Sequence, residues 1–227
     1  MPDARTNRYV VPRAGDLPST ESTIKRSRFL GFAARVTTEE QARAFVAETR
    51  RAHREARHVC HAFVLGPDRE IQRSSDDGEP GGSAGVPILK AVLARQTAPG
   101  VCELSDVVVA VVRYFGGIKL GVGGLVQAYS DAAAGTLDRA VLVERVRMRL
   151  LALPVSFADA GRLESSIRSH GFDVVTTDYL ADGATLTVAV PDDPGVLAGA
   201  DALFVELLSG RSRANDTGTV WMDRGAS

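Results

Sequence analysis

Three carboxylates fall within four positions in the run Ser74-Ser75-Asp76-Asp77-Gly78-Glu79-Pro80-Gly81-Gly82-Ser83-Ala84-Gly85. Clustered carboxylates can hold a hard cation or take a proton as a general base, so Asp76, Asp77 and Glu79 are the candidates for catalysis. The alternate oxygen ligands and the closing Glu of an EF-hand loop are missing, and no metal site is assigned. The competing reading is a rigid turn. In it the Asp side chains accept from backbone amides, and Gly81, Gly82 and Gly85 let a strand and a helix approach closely.

A second glycine-rich run, Arg113-Tyr114-Phe115-Gly116-Gly117-Ile118-Lys119-Leu120-Gly121-Val122-Gly123-Gly124, lies between an aliphatic segment and a helical one. Free amides in such a loop, with the positive end of the next helix, make an anion site to which Arg113 and Lys119 add charge. It lacks the Gly-Lys-Ser/Thr ending of a Walker loop, and Gly121-Val122-Gly123-Gly124 breaks the dinucleotide fingerprint. The glycines would otherwise serve tight helix-to-sheet packing alone. Lys25, Arg26 and Arg28 on a first strand, with Arg43, Arg50, Arg51 and Arg54 on a first helix, are either solvated charge or one wall of a groove for a phosphate backbone. The groove requires their faces to converge near Arg113 and Lys119, where Tyr114 or Phe115 would stack on bases. The residues assigned to anion or nucleic-acid binding are Lys25, Arg28, Arg113, Tyr114, Gly116, Gly117, Lys119, Gly121, Gly123 and Gly124.

His58-Val59-Cys60-His61 offers imidazoles and a thiol. On a strand, however, His58 and Cys60 share a face and His61 points to the other, and no CxxC or HxxxH partner exists, which argues against zinc. Activation of Cys60 by a neighbouring imidazole competes with a plain half-buried strand.

These groups need a frame, and the patterning supplies one. Thr23 to Phe32 alternates as a strand with a basic outer face. Thr37-x-x-Glu40 is a capping box for a helix over 37–54. His58 to Leu65 and Glu70 to Ser74 read as strands joined at Gly66-Pro67-Asp68, and Pro87 opens a helix ending near Pro99-Gly100. Asp106 to Phe115 is too apolar to face water on either side and reads as a central buried strand, followed by a helix from Leu125 to about Arg139. Beyond it the order strand 141–154, helix 156–170, strands 172–180 and 185–190, helix from Asp193-Pro194 to Gly210 and strand 213–222 is the ferredoxin-like βαββαβ arrangement.

The fold class is therefore α+β in two domains: a flexible lead over 1–20, a first domain over 21–142 and a second over 143–227. A length of 227 residues suits two domains, and 44% hydrophobic with 24% charged residues supplies a core and excludes wholesale disorder. Net charge of -1 excludes a globally basic binder, yet residues 1–145 hold 20 Lys plus Arg against 17 Asp plus Glu. Any polyanion contact therefore belongs to the first domain. The opening residues have no apolar signal core and no run is long enough to span a bilayer, so a cytoplasmic protein without membrane contact is expected, its two cysteines reduced.

Four ordered strings together resemble the IMPACT/YigZ family: Lys25-Arg26-Ser27-Arg28-Phe29; His58-Val59-Cys60-His61-Ala62; Ser75-Asp76-Asp77-Gly78-Glu79-Pro80 with Gly82 to Leu89; and Arg113 to Gly121 with Gly123-Gly124-Leu125-Val126-Gln127-Ala128-Tyr129-Ser130-Asp131-Ala132-Ala133. The resemblance marks His58, Asp76, Asp77, Gly78, Glu79 and Pro80 as motif residues. It implies a first domain of the ribosomal-protein and elongation-factor βαβ type and a second like a late domain of elongation factor G. It also implies a general association with RNA, ribosomes or translation, without settled catalytic residues. The expectation is a non-catalytic, cytoplasmic RNA-binding or ribosome-associated regulator of translation that needs no cofactor. Its alternative is a hydrolase or phosphate-handling enzyme in which Asp76, Asp77, Glu79 and Lys119 converge on one pocket. A protein partner would instead use an apolar open face of the second sheet.

Overall fold

The computed structural model describes residues 6–224. The chain divides into two compact units, one through Glu144 and one over Arg145–Arg224, beside an expected break between 142 and 143.

The first unit begins with β1 (Arg8–Pro12), in which Tyr9 and Val11 are buried. The Tyr9 hydroxyl donates to Asp106 Oδ2 at 2.6 Å, and Ser105 N donates to Val10 O at 2.9 Å. The expected lead over 1–20 is thus structured from residue 8 onward, while residues 1–5 lie outside the described residues. A strand of five residues anchored by one alternating pair is too short to stand out among neighbouring prolines and a glycine.

The expected strand from Thr23 to Phe32 is in fact a hairpin. β2 (Ser19–Ile24) pairs antiparallel with β3 (Ser27–Arg35), and Lys25 and Arg26 form its turn at φ of 46° and 66°. Both turn positions are left-handed, the conformation a tight hairpin demands. Helix α1 (Glu39–Ala52) is capped one residue later than the Thr37 box predicts: the Thr38 hydroxyl accepts from Gln41 N, and Gln41 Oε1 accepts from Thr37 N at 2.7 Å.

After β4 (His58–Leu65), β5 (Ile71–Ser75) and α2 (Gly85–Ala94) comes β6 (Val107–Tyr114), then α3 (Val122–Asp138). The sheet order is β2-β3-β6-β4-β5. Since β3 and β4 both run antiparallel to β6, the segment β3-α1-β4 is a βαβ crossover around the central strand. Val107 through Val112 are fully buried because helices cover both faces. Val107, Val109 and Val111 pack with Ile88, Val92, Leu125 and Tyr129 from α2 and α3. Val108, Ala110 and Val112 face Ala42, Phe45 and Val46 of α1.

The second unit contains β7 (Leu142–Val155, its first residues belonging to the first unit), α4 (Phe157–Ser169), β8 (Asp173–Tyr179), β9 (Ala184–Pro191), α5 (Pro194–Leu207) and β10 (Asn215–Arg224). Its strands lie in the order β10-β7-β9-β8, the ferredoxin-like arrangement. Leu153, Leu186, Val188 and Val190 pack against Leu163, Ile167, Ala200 and Phe204 of the two helices. Ser156 caps α4 and Asp193 caps α5, each through side-chain acceptance from the first-turn amides. The face that alternates out of this core is mixed: Thr176, Asp178, Thr185 and Thr187 are polar, while Leu150, Ala152 and Ala189 are apolar.

Candidate functional site

The acidic run closes a turn between β5 and α2, and each carboxylate is held by the protein. Asp76 Oδ1 accepts from Ala84 N at 2.9 Å and Gly85 N at 2.8 Å, and Oδ2 accepts from Gly82 N at 2.7 Å. Burial works to raise the Asp76 carboxyl, but the amides of Gly82, Gly85 and Ala84 outweigh it and hold the group below the ordinary aspartate value. This supplies the start of α2 with the acceptor that its own N-cap residue, Ala84, lacks. Asp77, at φ 44°, accepts from Val59 N at 2.6 Å and from the Arg50 guanidinium of α1. Gly85 has no room for a side chain, since a Cβ there would stand 2.7 Å from the Ser75 backbone.

Glu79 is buried, and its Oε1 accepts from Arg113 at 2.7 Å and from the Tyr129 hydroxyl at 2.8 Å. Arg113 lies between the rings of Phe29 and Phe115, 5.6 and 5.5 Å from their centroids. Its charge is therefore matched inside the protein by Glu79, where the sequence suggests a free cation. Burial raises the Tyr129 hydroxyl far above its usual value and pushes the Cys60 thiol up to about 12. Cys60 is fully buried and donates to Asp76 O at 3.0 Å, so it is a packing residue with no thiolate character near neutral pH.

His58 meets the same turn from β4. Its Nδ1 lies 2.8 Å from Asp77 O. A carbonyl only accepts, so Nδ1 carries the proton and Nε2 is the ring atom left for other partners.

A cavity of about 460 Å³ opens beside this assembly. Arg57 and Lys119 supply its cations and His58 an imidazole; Pro80, Phe115, Leu120, Val122 and Leu125 are its apolar lining; the Glu79–Arg113 pair and Gly121 complete it. Gly121 is the α3 N-cap at φ 76°, without a side-chain cap, and no acidic residue stands in the first turn. The amides of Val122, Gly123 and Gly124 precede the first intrahelical bond, Leu125 N to Gly121 O, so the helix presents uncapped donors and its positive end.

The structure brings together only part of the sequence-derived set. Arg113, Lys119 and Gly121 line the cavity; Tyr114 and Arg28 do not. Neighbours on a strand point to opposite faces, so Tyr114 lies on the α1 side, where His53 Nδ1 approaches its hydroxyl at 2.9 Å. Arg28 pairs with Glu21 at 2.8 Å and lies over the Tyr114 ring. Lys25 sits in the hairpin turn. Arg50, Arg51 and Arg54 of α1 line a separate depression with Ala44 and Ala47, so the proposed convergence of α1 with Arg113 and Lys119 does not occur. Of the carboxylates, Glu79 alone borders the cavity. Gly116 serves packing: a Cβ there would stand 2.0 Å from the Arg26 carbonyl carbon, whereas Gly117 and Gly123 have open space. Arg57 is the cavity residue that sequence reasoning passed over; its position one residue before His58 was the available signal. Among the described residues no group of three or more His, Cys, Asp and Glu side chains is placed to hold a metal ion.

Fold and site together define a two-domain α+β protein with a basic, partly apolar cavity where a glycine loop enters α3. Residues 25–137 match the Impact N-terminal domain and residues 153–211 match a domain of unknown function, DUF1949. The chain belongs to the IMPACT family. It is 38% identical over 164 residues to the IMPACT family member YvyE of Bacillus subtilis, covering 72% of this chain and 71% of the relative. It is 38% identical over 170 residues to the IMPACT family member YigZ of Escherichia coli, covering 74% and 79%. A crystal structure of a hypothetical protein matches over 98% of this chain and 100% of its own, with TM-score 0.61 and 28% identity. No helix among the described residues is long and apolar enough to cross a membrane.

Proposed function

We propose that the first unit binds RNA through its phosphates and that the protein is a non-catalytic, cytoplasmic, RNA- or ribosome-associated regulator of translation. The observation that carries this reading is the joining of Arg57, His58 and Lys119 with the uncapped start of α3 around one cavity. Charged donors and helix amides of this kind favour phosphate, and the adjacent Phe115, half exposed, offers a face for a base. The catalytic alternative required Asp76, Asp77, Glu79 and Lys119 at one pocket. Asp76 accepts from backbone amides, Asp77 from Val59 N and the Arg50 guanidinium, and neither lines the cavity, which supports the non-catalytic reading.

The test is binding of a single-stranded RNA to the full chain across a salt series. Affinity that falls linearly in a log-log plot as salt rises is the expected result. Absence of affinity at low salt, or indifference to salt, would overturn the reading.

A further inference from the structure

We propose that the cavity takes a nucleotide carrying a terminal phosphomonoester, so that RNA is held by a phosphorylated end and not along its interior. This rests on the phosphate-binding reading above and specifies its ligand. The first support is charge. Glu79 neutralises Arg113, which leaves Arg57, Lys119 and the α3 N-terminus as the uncompensated positive groups. A helix N-terminus contributes roughly half a charge. Two cations and a helix end match a phosphomonoester, which approaches two negative charges near neutral pH, better than the single charge of an internal phosphodiester.

The second support is donor geometry. A terminal phosphate has three oxygens free of the chain, and Gly121 and Val122, which line the cavity, begin a helix whose first-turn amides have no intrahelical acceptor. Independently, Arg113 Nε is a buried donor without a hydrogen-bond partner, on a side chain that lines the cavity. Buried donors are ordinarily satisfied, so an unmatched one beside a cationic cavity points to an acceptor supplied by a ligand.

The third support is size and polarity. About 460 Å³ is in the range of small-molecule pockets and suits one nucleotide. The lining joins apolar side chains, Phe115, Leu120, Val122 and Leu125, to the cations Arg57 and Lys119, a mixture that suits a ligand with both a base and a phosphate. His58, whose Nδ1 donates to Asp77 O, also lines the cavity and has Nε2 as an acceptor for a ribose hydroxyl.

The experiment measures binding of the full chain to one unstructured RNA oligomer in four forms: 5′-phosphate, 3′-phosphate, both ends hydroxyl, and circular. A nucleoside 5′-monophosphate and its nucleoside are titrated in parallel. At least tenfold tighter binding of a phosphorylated end over the hydroxyl-ended and circular forms is expected, and the two phosphate positions separate 5′ from 3′ ends. Val122→Glu places a carboxylate in the first turn of α3 at an exposed position. It should keep the melting temperature, because acids suit helix N-termini, while removing the phosphate preference. Equal affinity for all four forms overturns this proposal and leaves RNA binding standing. Binding of the nucleoside monophosphate over the nucleoside without any RNA binding supports a phosphomonoester nucleotide site but overturns the RNA reading and the holding of RNA by its end. Binding of none of these ligands overturns both.

Discussion

The Arg113 guanidinium donates to Glu79 Oε1 at 2.7 Å, joining the end of β6 to the turn before α2 with both side chains inside the protein. A buried pair of this kind repays its desolvation only while both charges are present. Glu79→Gln keeps an acceptor for Tyr129 but leaves Arg113 uncompensated, and it should cost about 3–5 kcal/mol in urea unfolding. The double variant Glu79→Gln/Arg113→Met should recover most of that loss. If the double variant is as unstable as the two single losses added, the pair is not the cause.

Asp76 makes the start of α2 depend on pH. Its folded-state pKa lies below the ordinary aspartate value, so the unfolded chain binds the proton more readily. The stabilisation is complete above the unfolded value of about 3.9 and is lost as pH falls through the folded one. Asp76→Asn, which replaces one acceptor oxygen by a donor facing amides, should cost at least about 2 kcal/mol at neutral pH. The gap between wild type and variant should then shrink below about pH 4. A gap constant from pH 7 to pH 2.5 contradicts this role.

How much of this was legible differs between fold and site. The unbroken aliphatic run that predicted a buried β6 and the caps at Ser156 and Asp193 are local signals, and those elements sit where patterning puts them. The hairpin at Lys25-Arg26 was hidden because two basic residues at positive φ look like any exposed stretch. The site was harder. Arg113 and Glu79 lie 34 residues apart, and nothing local says that their charges cancel. Tyr114 could have been separated from Arg113 by the two-residue period of the strand alone.

The salt dependence of RNA binding should report which cations matter. Lys119→Ala and Arg57→Ala should each lower the log-log salt slope by about 0.7, the value per phosphate contact on a single strand. Arg28→Ala should leave affinity unchanged within about twofold, because Arg28 is held by Glu21 on the other face of the sheet. An Arg28 effect as large as that of Lys119 would move the interface to the β2-β3 hairpin.

The two cysteines should differ sharply in reactivity. Cys60 is fully buried with a thiol pushed up to about 12, whereas Cys102 is exposed. A thiol reagent at pH 8 should therefore label one group per native chain quickly and the second only on unfolding, with Cys102→Ser abolishing the fast phase. Fast labelling of the Cys102→Ser protein would show that β4 opens beneath the Asp76 turn.

The glycines of the second loop should separate by substitution. At Gly116 an added Cβ would meet the Arg26 backbone at 2.0 Å, and neither chain can yield without moving the hairpin away from β6. Gly116→Ala should therefore lower stability by about 1–3 kcal/mol, the usual range for overpacking, and broaden the unfolding transition if the hairpin detaches. Gly123 has open space at the Cβ position and lies within the first turn of α3. There alanine restricts the unfolded chain, and Gly123→Ala should leave stability unchanged or raise it by up to about 1 kcal/mol. The added methyl stands next to Val122, which lines the cavity, so RNA affinity should fall even as the melting temperature holds. A Gly123→Ala protein that keeps full affinity would reduce the second loop to a packing device.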